Sequence, residues 1–300
     1  MPAAAGARFL DPLVLARIDN LELLAKTVVE GFLGGLHRSP YLGHSVDFAE
    51  HRAYMPGDDI RRIDWRLFAR TDRFYVKEFE ADANANFIVM LDVSRSMSFT
   101  SHSVSKLDYG RYLAACLTHL AHKQRDRVGL VTFDDDIVEF VPPSAKHRDP
   151  VLHTLDRAET RRPGELARPL LKTAEASRRR GIFVVISDLY EEPGAVLRAV
   201  RALAHHGSDV IVFHVLDPAE VQFPYDESAH YEDLETGERM AVVPEYVREQ
   251  YRALVAEHIA ALERELGGQR IDYAHIVSST PLDEALLHYL VRRRRFDRVR

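Results

Sequence analysis

Apolar side chains change their spacing along the chain, and this spacing divides it into two parts. Over residues 10–36 they recur at intervals of three and four positions, which predicts one or two amphipathic helices. Residues 37–83 instead mix glycine, proline and charged residues with short β-like pieces such as 73–79, and they carry aromatic side chains that need burial. We therefore predict an N-terminal accessory module over residues 1–83, helical at its start and β-rich beyond it.

Residues 84–300 show a different pattern, in which short apolar runs alternate with helical stripes. The first run, 86–93, lacks polar alternation, as expected for a strand covered on both faces. The other predicted strands span residues 127–133, 182–187, 209–216 and 271–277. The helical stripes span residues 109–120, 148–158, 165–180, 194–206, 244–266 and 282–295. Because strands that alternate with helices pair in parallel through right-handed crossovers, we predict an α/β fold with a doubly wound, mostly parallel sheet flanked by helices.

Two further segments modify this pattern. Residues 137–141 are expected to pair with the strand at 127–133 as a hairpin arm, which ends where Pro142 and Pro143 follow. Residues 217–243 form a polar excursion between a strand and a helix. We expect the chemistry of the protein at the carboxyl ends of the parallel strands, where ligands bind in such sheets.

Composition narrows the classes of function. A chain of 300 residues with 46% hydrophobic residues can bury a large core, and its formal net charge of −6 argues against a nucleic-acid binder, which usually carries a basic excess. The single cysteine, Cys116, falls on an apolar helical stripe and is predicted to lie in the core. With no signal-peptide pattern and no apolar run long enough for a membrane span, we predict a cytoplasmic protein that does not insert into a membrane.

Candidate ligands for a metal ion stand at the ends of two predicted strands. Asp92 closes the first strand, and Ser94 and Ser96 follow in an extended turn, where alternate side chains face the same way. Asp188 follows the strand at 182–187 in the same manner. Carboxylate and hydroxyl oxygens suit Mg²⁺, Mn²⁺ or Ca²⁺. The alternative for the turn alone is a helix cap without a metal, but two aspartates at neighbouring strand ends favour a metal site.

The residues Asp92, Ser94, Ser96 and Asp188 resemble the metal-ion-dependent adhesion site of von Willebrand A domains. In that family a threonine from a second loop also binds the metal, and the corresponding segment here is residues 162–166, in which Glu165 stands in its place. The resemblance implies that Glu165 either binds the metal directly or turns away and leaves a degraded site. Thr160 is a substitute whose spacing fits the family pattern less well.

A second resemblance covers most of the chain. Residues 50–65 (EHRAYMPGDDIRRIDW), 128–133 (VGLVTF) and 233–239 (DLETGER) are similar to the bacterial domain-of-unknown-function 58 family. This resemblance implies a von Willebrand A-like fold with an N-terminal extension. It also implies partnership with a MoxR-type AAA+ ATPase and with other von Willebrand A-like proteins. Within residues 54–70 the acidic and arginine side chains are expected to form a salt-bridge network, the alternative being a docking surface.

We expect binding rather than catalysis. The sequence shows no general base, nucleophile-base pair or oxyanion donor near Asp92, so we predict a non-catalytic protein-protein interaction module in which a partner's Glu or Asp completes the metal coordination. One alternative is a metal-dependent phosphohydrolase, although haloacid-dehalogenase-like enzymes need a second acidic residue where Ser94 stands. Another is a scaffold with a degenerate metal site. No phosphate-binding glycine-rich loop is present, so the chain is not expected to be the ATPase itself.

Overall fold

A computed structural model of the protein describes residues 12–15, 20–38, 51–53, 68, 71, 73–77, 85–177, 179–204, 207–269 and 271–297. The chain divides into two compact units, one comprising residues 1–31 and 85–300 and the other residues 32–84. The predicted boundary after residue 83 falls next to the end of the smaller unit. Residues 1–31, which we expected in the accessory module, are grouped with the larger unit instead. Most of the segment 54–70, with its predicted salt-bridge network, lies outside the described residues.

The described part of the smaller unit contains a short antiparallel ribbon. Strand β1 (His51–Ala53) pairs with β2 (Tyr75–Lys77), and Arg52 lies opposite Val76. The rings of Phe68 and Phe74 stack with their centroids 4.4 Å apart. The predicted β-structure within residues 73–79 is therefore confirmed over the three residues of β2.

Two helices precede this ribbon, as the helical spacing predicts. Helix α1 spans Pro12–Leu15 and α2 spans Leu21–Arg38. Asn20 caps α2, because its side-chain oxygen accepts the backbone N–H of Leu23 at 2.9 Å. The first part of α2 buries an apolar face that includes Leu24 and Val28, and Glu22 pairs with Arg148 at 2.6 Å.

The larger unit is built on a six-stranded sheet in the order β10-β7-β6-β3-β4-β5, with a separate two-stranded ribbon. Neighbouring strands are parallel except for β5, which runs antiparallel to β4 at the edge. The strands of the sheet are β3 (Asn86–Asp92), β4 (Arg127–Phe133), β5 (Ile137–Ser144), β6 (Gly181–Ser187), β7 (Asp209–Leu216) and β10 (Asp272–Val277). The ribbon consists of β8 (Ala229–Glu232) and β9 (Arg239–Val242).

Helices cover both faces of this sheet, which confirms the predicted doubly wound α/β class. They are α3 (Lys106–Lys123), α4 (Arg148–Asp156), α5 (Ala167–Ala176), α6 (Pro193–Leu203), α7 (Pro218–Gln222), α8 (Pro244–Gly267) and α9 (Leu282–Asp297). Successive side chains of β3 point to opposite faces of the sheet. Met90 belongs to the core formed with α5, α6 and α8, whereas the ring of Phe87 meets Tyr289 of α9 at 5.9 Å.

Helix α3 approaches the sheet closely at one glycine, Gly110. A Cβ added at Gly110 would stand 2.8 Å from the side chain of Leu91, so a larger residue would push the helix away from β3. Cys116, on the same helix, is fully buried, as its place on the apolar stripe predicts. Among the helices that the structure describes, none is long and apolar enough to cross a membrane.

One predicted strand end needs correction, and one segment holds elements that the pattern did not predict. The strand β5 continues through Pro142 and Pro143 to Ser144, so the predicted end at residue 141 is wrong. The prolines are tolerated because β5 is an edge strand, in which an N–H can be missing without loss of a ladder bond. The segment 217–243, predicted only as a polar excursion, contains α7 and the ribbon β8-β9. The side chains of the ribbon are mainly exposed, so the ribbon has no apolar signal.

Candidate metal site at the carboxyl edge of the sheet

The first loop of the site follows β3. Asp92 is the last residue of that strand, and one of its carboxylate oxygens accepts the backbone N–H of Ser94 at 2.8 Å. The other oxygen accepts the hydroxyl of Ser187 at 2.5 Å. The hydroxyl oxygens of Ser94 and Ser96 lie 3.1 Å apart, and both side chains are buried with Asp92. The structure thus brings together the three oxygen-bearing side chains of the Asp-x-Ser-x-Ser turn.

The second loop lies directly on this turn. A Cβ added at Gly164 would stand 2.7 Å from Cβ of Ser94, so the close approach of the two loops requires glycine. The backbone N–H of Arg95 donates to the carbonyl of Arg162 at 2.9 Å and fixes the loops to each other. Sequence reasoning identified this segment only through the missing threonine and overlooked the role of its glycine.

Glu165 occupies the second-loop position that the family pattern gives to threonine. Its backbone N–H donates to the carbonyl of Asp134 at 3.1 Å, and its side chain is exposed and lines the same cavity as Asp92. Thr160 is absent from the described residues that line this cavity. Within the part of the chain that the structure describes, no three His, Cys, Asp or Glu side chains form a cluster suited to a metal. Serine hydroxyls therefore have to supply part of any coordination shell.

The third loop follows β6, which is the parallel neighbour of β3. Asp188 is buried there, and its carboxylate accepts a hydrogen bond from the ammonium of Lys106 at 2.8 Å. The same ammonium donates to Glu220 at 2.6 Å, and the Lys106 side chain is fully buried. The predicted site residue Asp188 thus lies at the expected edge of the sheet but already has a cationic partner.

Sequence reasoning missed Lys106, although one local signal was present. Ser105 and Asp108 form a capping box that begins α3, which places Lys106 at the first helical position. A cation is unfavourable beside the positive end of the helix dipole, so a lysine there suggests nearby carboxylates. Burial lowers the pKa of Lys106, but Asp188 and Glu220 outweigh it and hold that pKa above its usual value.

The electrostatics of Asp92 differ from those of Asp188. Burial, reinforced by the charge of Asp188, raises the pKa of Asp92 to about 7, although the hydrogen bonds from Ser187 and Ser94 oppose the shift. The ammonium of Lys106 is bonded to Asp188 and Glu220. Among the described residues, the partners of the Asp92 carboxylate are the N–H of Ser94 and the hydroxyl of Ser187, neither of which carries a positive charge. A buried carboxylate beside two hydroxyls is a donor set that fits a hard divalent cation.

The backbone after Asp188 adopts an uncommon conformation. Leu189 has a φ of +49°, in the region that favours glycine. Its N–H donates to the hydroxyl of Ser187 at 3.1 Å, and its carbonyl lies 2.9 Å from the ring nitrogen Nε2 of His258. Non-glycine residues in this conformation cluster at functional loops, and these contacts hold the third loop in place.

A fourth segment reaches the site from the ribbon β8-β9. One oxygen of Glu235 accepts the backbone N–H of Ser96 at 2.7 Å, and the other accepts the N–H of Gly164 at 2.8 Å. The turn is shaped by Asp233, whose carboxylate accepts the N–H of Glu235 at 2.7 Å. Sequence reasoning noted residues 233–239 only for their family resemblance and did not place Glu235 at the site.

Two cavities meet at Glu235. The cavity over the three loops has a volume of about 260 Å³ and is lined by Asp92, Asp188 and Glu235, among others. A wider groove of about 770 Å³ adjoins it and shares Ser96, Tyr190, Asp233 and Glu235 with its lining. Its aromatic lining residues are Phe99, Tyr190, Phe223, Tyr225, Tyr231 and Tyr251.

The strand order and the three loops at the carboxyl edge define a von Willebrand A-like α/β domain. The chain belongs to the family described as "Protein of unknown function DUF58", whose model matches residues 50–261. An uncharacterized protein of Mycobacterium tuberculosis is 31% identical over 268 residues, which cover 86% of this chain and 83% of that relative. The uncharacterized protein YeaD of Bacillus subtilis is 33% identical over 81 residues, covering 24% of this chain and 20% of YeaD. The predicted family membership is therefore confirmed.

Similar solved structures were also found. The conserved hypothetical protein BatB from Bacteroides thetaiotaomicron has a TM-score of 0.48 and 17% identity, covering 69% of this chain and 98% of BatB. The SpRpn10 VWA domain has a TM-score of 0.40 and 10% identity, covering 67% of this chain and 92% of that domain.

Proposed function

We propose that this protein is a non-catalytic interaction module that binds a divalent cation and, through it, an acidic side chain of a partner protein. The observation that carries the proposal is the convergence of Asp92, Ser94 and Ser96 at a buried strand end, with the two hydroxyl oxygens 3.1 Å apart. Mg²⁺ is the preferred cation, with Mn²⁺ or Ca²⁺ as substitutes, because all the donors are hard oxygen atoms.

The remaining carboxylates of the cavity have different parts in this proposal. Asp188 is paired with Lys106, and its carboxylate would stabilise the cation together with that of Asp92. Glu165 lines the cavity from the second loop and would supply an oxygen in place of the family's threonine. The protein residues would hold the cation in place. The cation would keep one coordination position open for an acidic ligand.

The composition of the cavity supports binding rather than turnover. The described residues that line it include no histidine, cysteine or lysine, so the cavity lacks the imidazole, thiol and amine groups that most often act as base or nucleophile. Lys106 is committed to two carboxylates and is completely buried. A phosphohydrolase of the haloacid-dehalogenase type would need an acidic residue where Ser94 stands.

A scaffold without a metal is the second candidate function. The observation that favours it is the ammonium of Lys106, which lies 2.8 Å from Asp188 and neutralises a carboxylate that a cation would otherwise use. In this case the three loops would form a binding surface held together by hydrogen bonds alone. Titration with divalent cations separates the two candidates.

For the partner we propose a MoxR-type AAA+ ATPase, and with it other von Willebrand A-like proteins, in a chaperone-like or assembly role in the cytoplasm. The family resemblance supports this choice. Affinity capture from cells, in buffers with Mg²⁺ or with a chelator, tests it with the wild-type protein and Asp92→Ala side by side. Asp209→Ala is the matched control, because Asp209 begins β7 and therefore lies at the amino ends of the parallel strands, away from the candidate site.

We expect the wild type and Asp209→Ala to capture the ATPase in Mg²⁺, and Asp92→Ala to lose it. A partner carboxylate on the metal should behave as a hot spot, so Asp92→Ala or Ser96→Ala should weaken affinity by at least about 2 kcal/mol, or roughly thirtyfold. Equal capture by wild type and Asp92→Ala in Mg²⁺ would exclude the metal-dependent function.

A further inference from the structure

The backbone of the site already holds one carboxylate. The N–H groups of Ser96 and Gly164 each donate to a different oxygen of Glu235, at 2.7 and 2.8 Å. Hydrogen bonds from two donors to the two oxygens of one ionised carboxylate are short, directional and selective for that group. The two N–H groups together therefore have the geometry of a carboxylate-binding site.

This pair of donors is built by contacts that do not involve Glu235. Ser96 belongs to the loop after β3 and Gly164 to the loop before α5, and the loops are joined by the hydrogen bond from Arg95 to Arg162. The close packing of Gly164 on Ser94 fixes their separation. The donors are therefore preorganised, and the site does not need Glu235 to keep its shape.

Glu235 itself comes from an element with little support from the core. It lies in the turn between β8 and β9, which have four residues each and are mainly exposed. Tyr231 of the ribbon stacks on Phe223 with centroids 5.6 Å apart and meets the ring of Tyr225 edge-on at 5.5 Å. Because a two-stranded ribbon contributes little stability of its own and is not part of the main sheet, we expect that its tip can leave the site while the sheet stays folded.

We propose that the N–H groups of Ser96 and Gly164 form the site at which a partner's Glu or Asp side chain is anchored, and that Glu235 occupies this site as an internal competitor. The inference rests on the proposed function, because it assigns the atoms that recognise the partner's acidic residue. When that residue enters, Glu235 leaves the two N–H groups, and the lining of both cavities that it shares changes with it.

The test is a titration of the full chain followed by NMR of the backbone amides of Ser96 and Gly164. The probe is the peptide acetyl-Gly-Glu-Gly-amide, with acetyl-Gly-Gln-Gly-amide as the uncharged control. The proteins are the wild type, Glu235→Ala and Glu238→Ala, each with Mg²⁺ and with a chelator. Glu238 lies in the same turn region and lines only the aromatic groove, so its replacement controls for a general loss of negative charge.

We expect the Glu peptide to shift both amides of Glu235→Ala in a saturable manner, with an affinity at least about tenfold higher than for the wild type. Glu238→Ala should behave as the wild type does, and the Gln peptide should bind far more weakly than the Glu peptide. If Glu235→Ala does not fold, Glu235→Gln replaces it, because the amide keeps the size of the side chain and removes its charge.

Equal affinity of the wild type and the Glu235 variant for the Glu peptide would overturn the inference. Unchanged chemical shifts of the Ser96 and Gly164 amides in the variant would also overturn it. Failure of the proposed function is measured separately. If Mg²⁺ produces no heat of binding while the peptide still shifts the amides in the chelator, the metal is excluded and the carboxylate site is supported.

Discussion

The ammonium of Lys106 lies 2.8 Å from the carboxylate of Asp188, in a position where both side chains are buried. Asp188 is therefore not a free ligand, whereas Asp92 has no cationic partner among the residues that the structure describes. This asymmetry explains why burial and the charge of Asp188 raise the pKa of Asp92 to about 7. For the cation that we propose, it favours the side of the cavity formed by the Asp-x-Ser-x-Ser turn.

Lys106→Met should destabilise the larger unit by about 3–5 kcal/mol, because it leaves Asp188 and Glu220 buried without their common cation. The matched control is Lys172→Met. Lys172 bonds both oxygens of Asp136 at 2.7 Å but is exposed, so its loss should cost less than about 1 kcal/mol. Urea unfolding at neutral pH measures both free energies. Similar unfolding midpoints for the two variants would show that the buried pair is not structural.

Gly164→Ala should separate the first and second loops, because the added Cβ would stand 2.7 Å from Ser94. We expect a loss of about 1–3 kcal/mol in stability and a weaker response to Mg²⁺. Gly31→Ala is the control. In α2 an added Cβ at Gly31 meets no atom within 4 Å, so helix propensity should raise stability by up to about 1 kcal/mol. Thermal unfolding with and without Mg²⁺ compares them, and an unaltered Mg²⁺ response in Gly164→Ala would contradict the close contact.

The pH dependence of stability should report on Asp92. Its pKa is raised from 3.8 to about 7 in the folded protein, so the folded state binds more protons than the unfolded state between these values. Stability from this group is fully present below pH 3.8 and is lost as the pH rises through about 7. Asp92→Asn keeps the shape without the charge, and in a chelator it should be more stable than wild type at about pH 8 and similar at low pH.

The size of this difference and its response to metal complete the prediction. The gap between Asp92→Asn and wild type should grow by at most about 1.4 kcal/mol per pH unit and level off above about pH 7. Mg²⁺ should stabilise the wild type and leave Asp92→Asn unchanged. Parallel stability curves for the two proteins across this range would show that Asp92 titrates as an ordinary carboxyl group.

Much of the sheet could be predicted from the sequence. The strands β4 and β7 have the predicted bounds, because their apolar runs are long and end at polar residues. The Asp-x-Ser-x-Ser turn was predictable because Asp92, Ser94 and Ser96 are local to one another. The end of β5 was not, since two prolines are compatible with an edge strand and the pattern does not show which strand is at the edge.

The partners of the site residues could not be predicted in the same way. Asp188 lies 82 positions from Lys106, and Glu220 lies 114 positions from it. Glu235 is 139 positions from Ser96 and belongs to a segment without apolar periodicity. Such pairings depend on how α3, α7 and the ribbon are arranged around the sheet, and hydrophobic spacing along the chain carries no information on that arrangement.

The central claim, a divalent cation held by the Asp-x-Ser-x-Ser turn, is tested most directly by calorimetric titration of Mg²⁺, Mn²⁺ and Ca²⁺ into the wild type, Asp92→Ala and Asp209→Ala. We predict one saturable site in the wild type and in Asp209→Ala, with the heat of binding absent from Asp92→Ala. Absence of binding of all three cations by the wild type, or equal binding by Asp92→Ala, would contradict the claim and favour the metal-free scaffold.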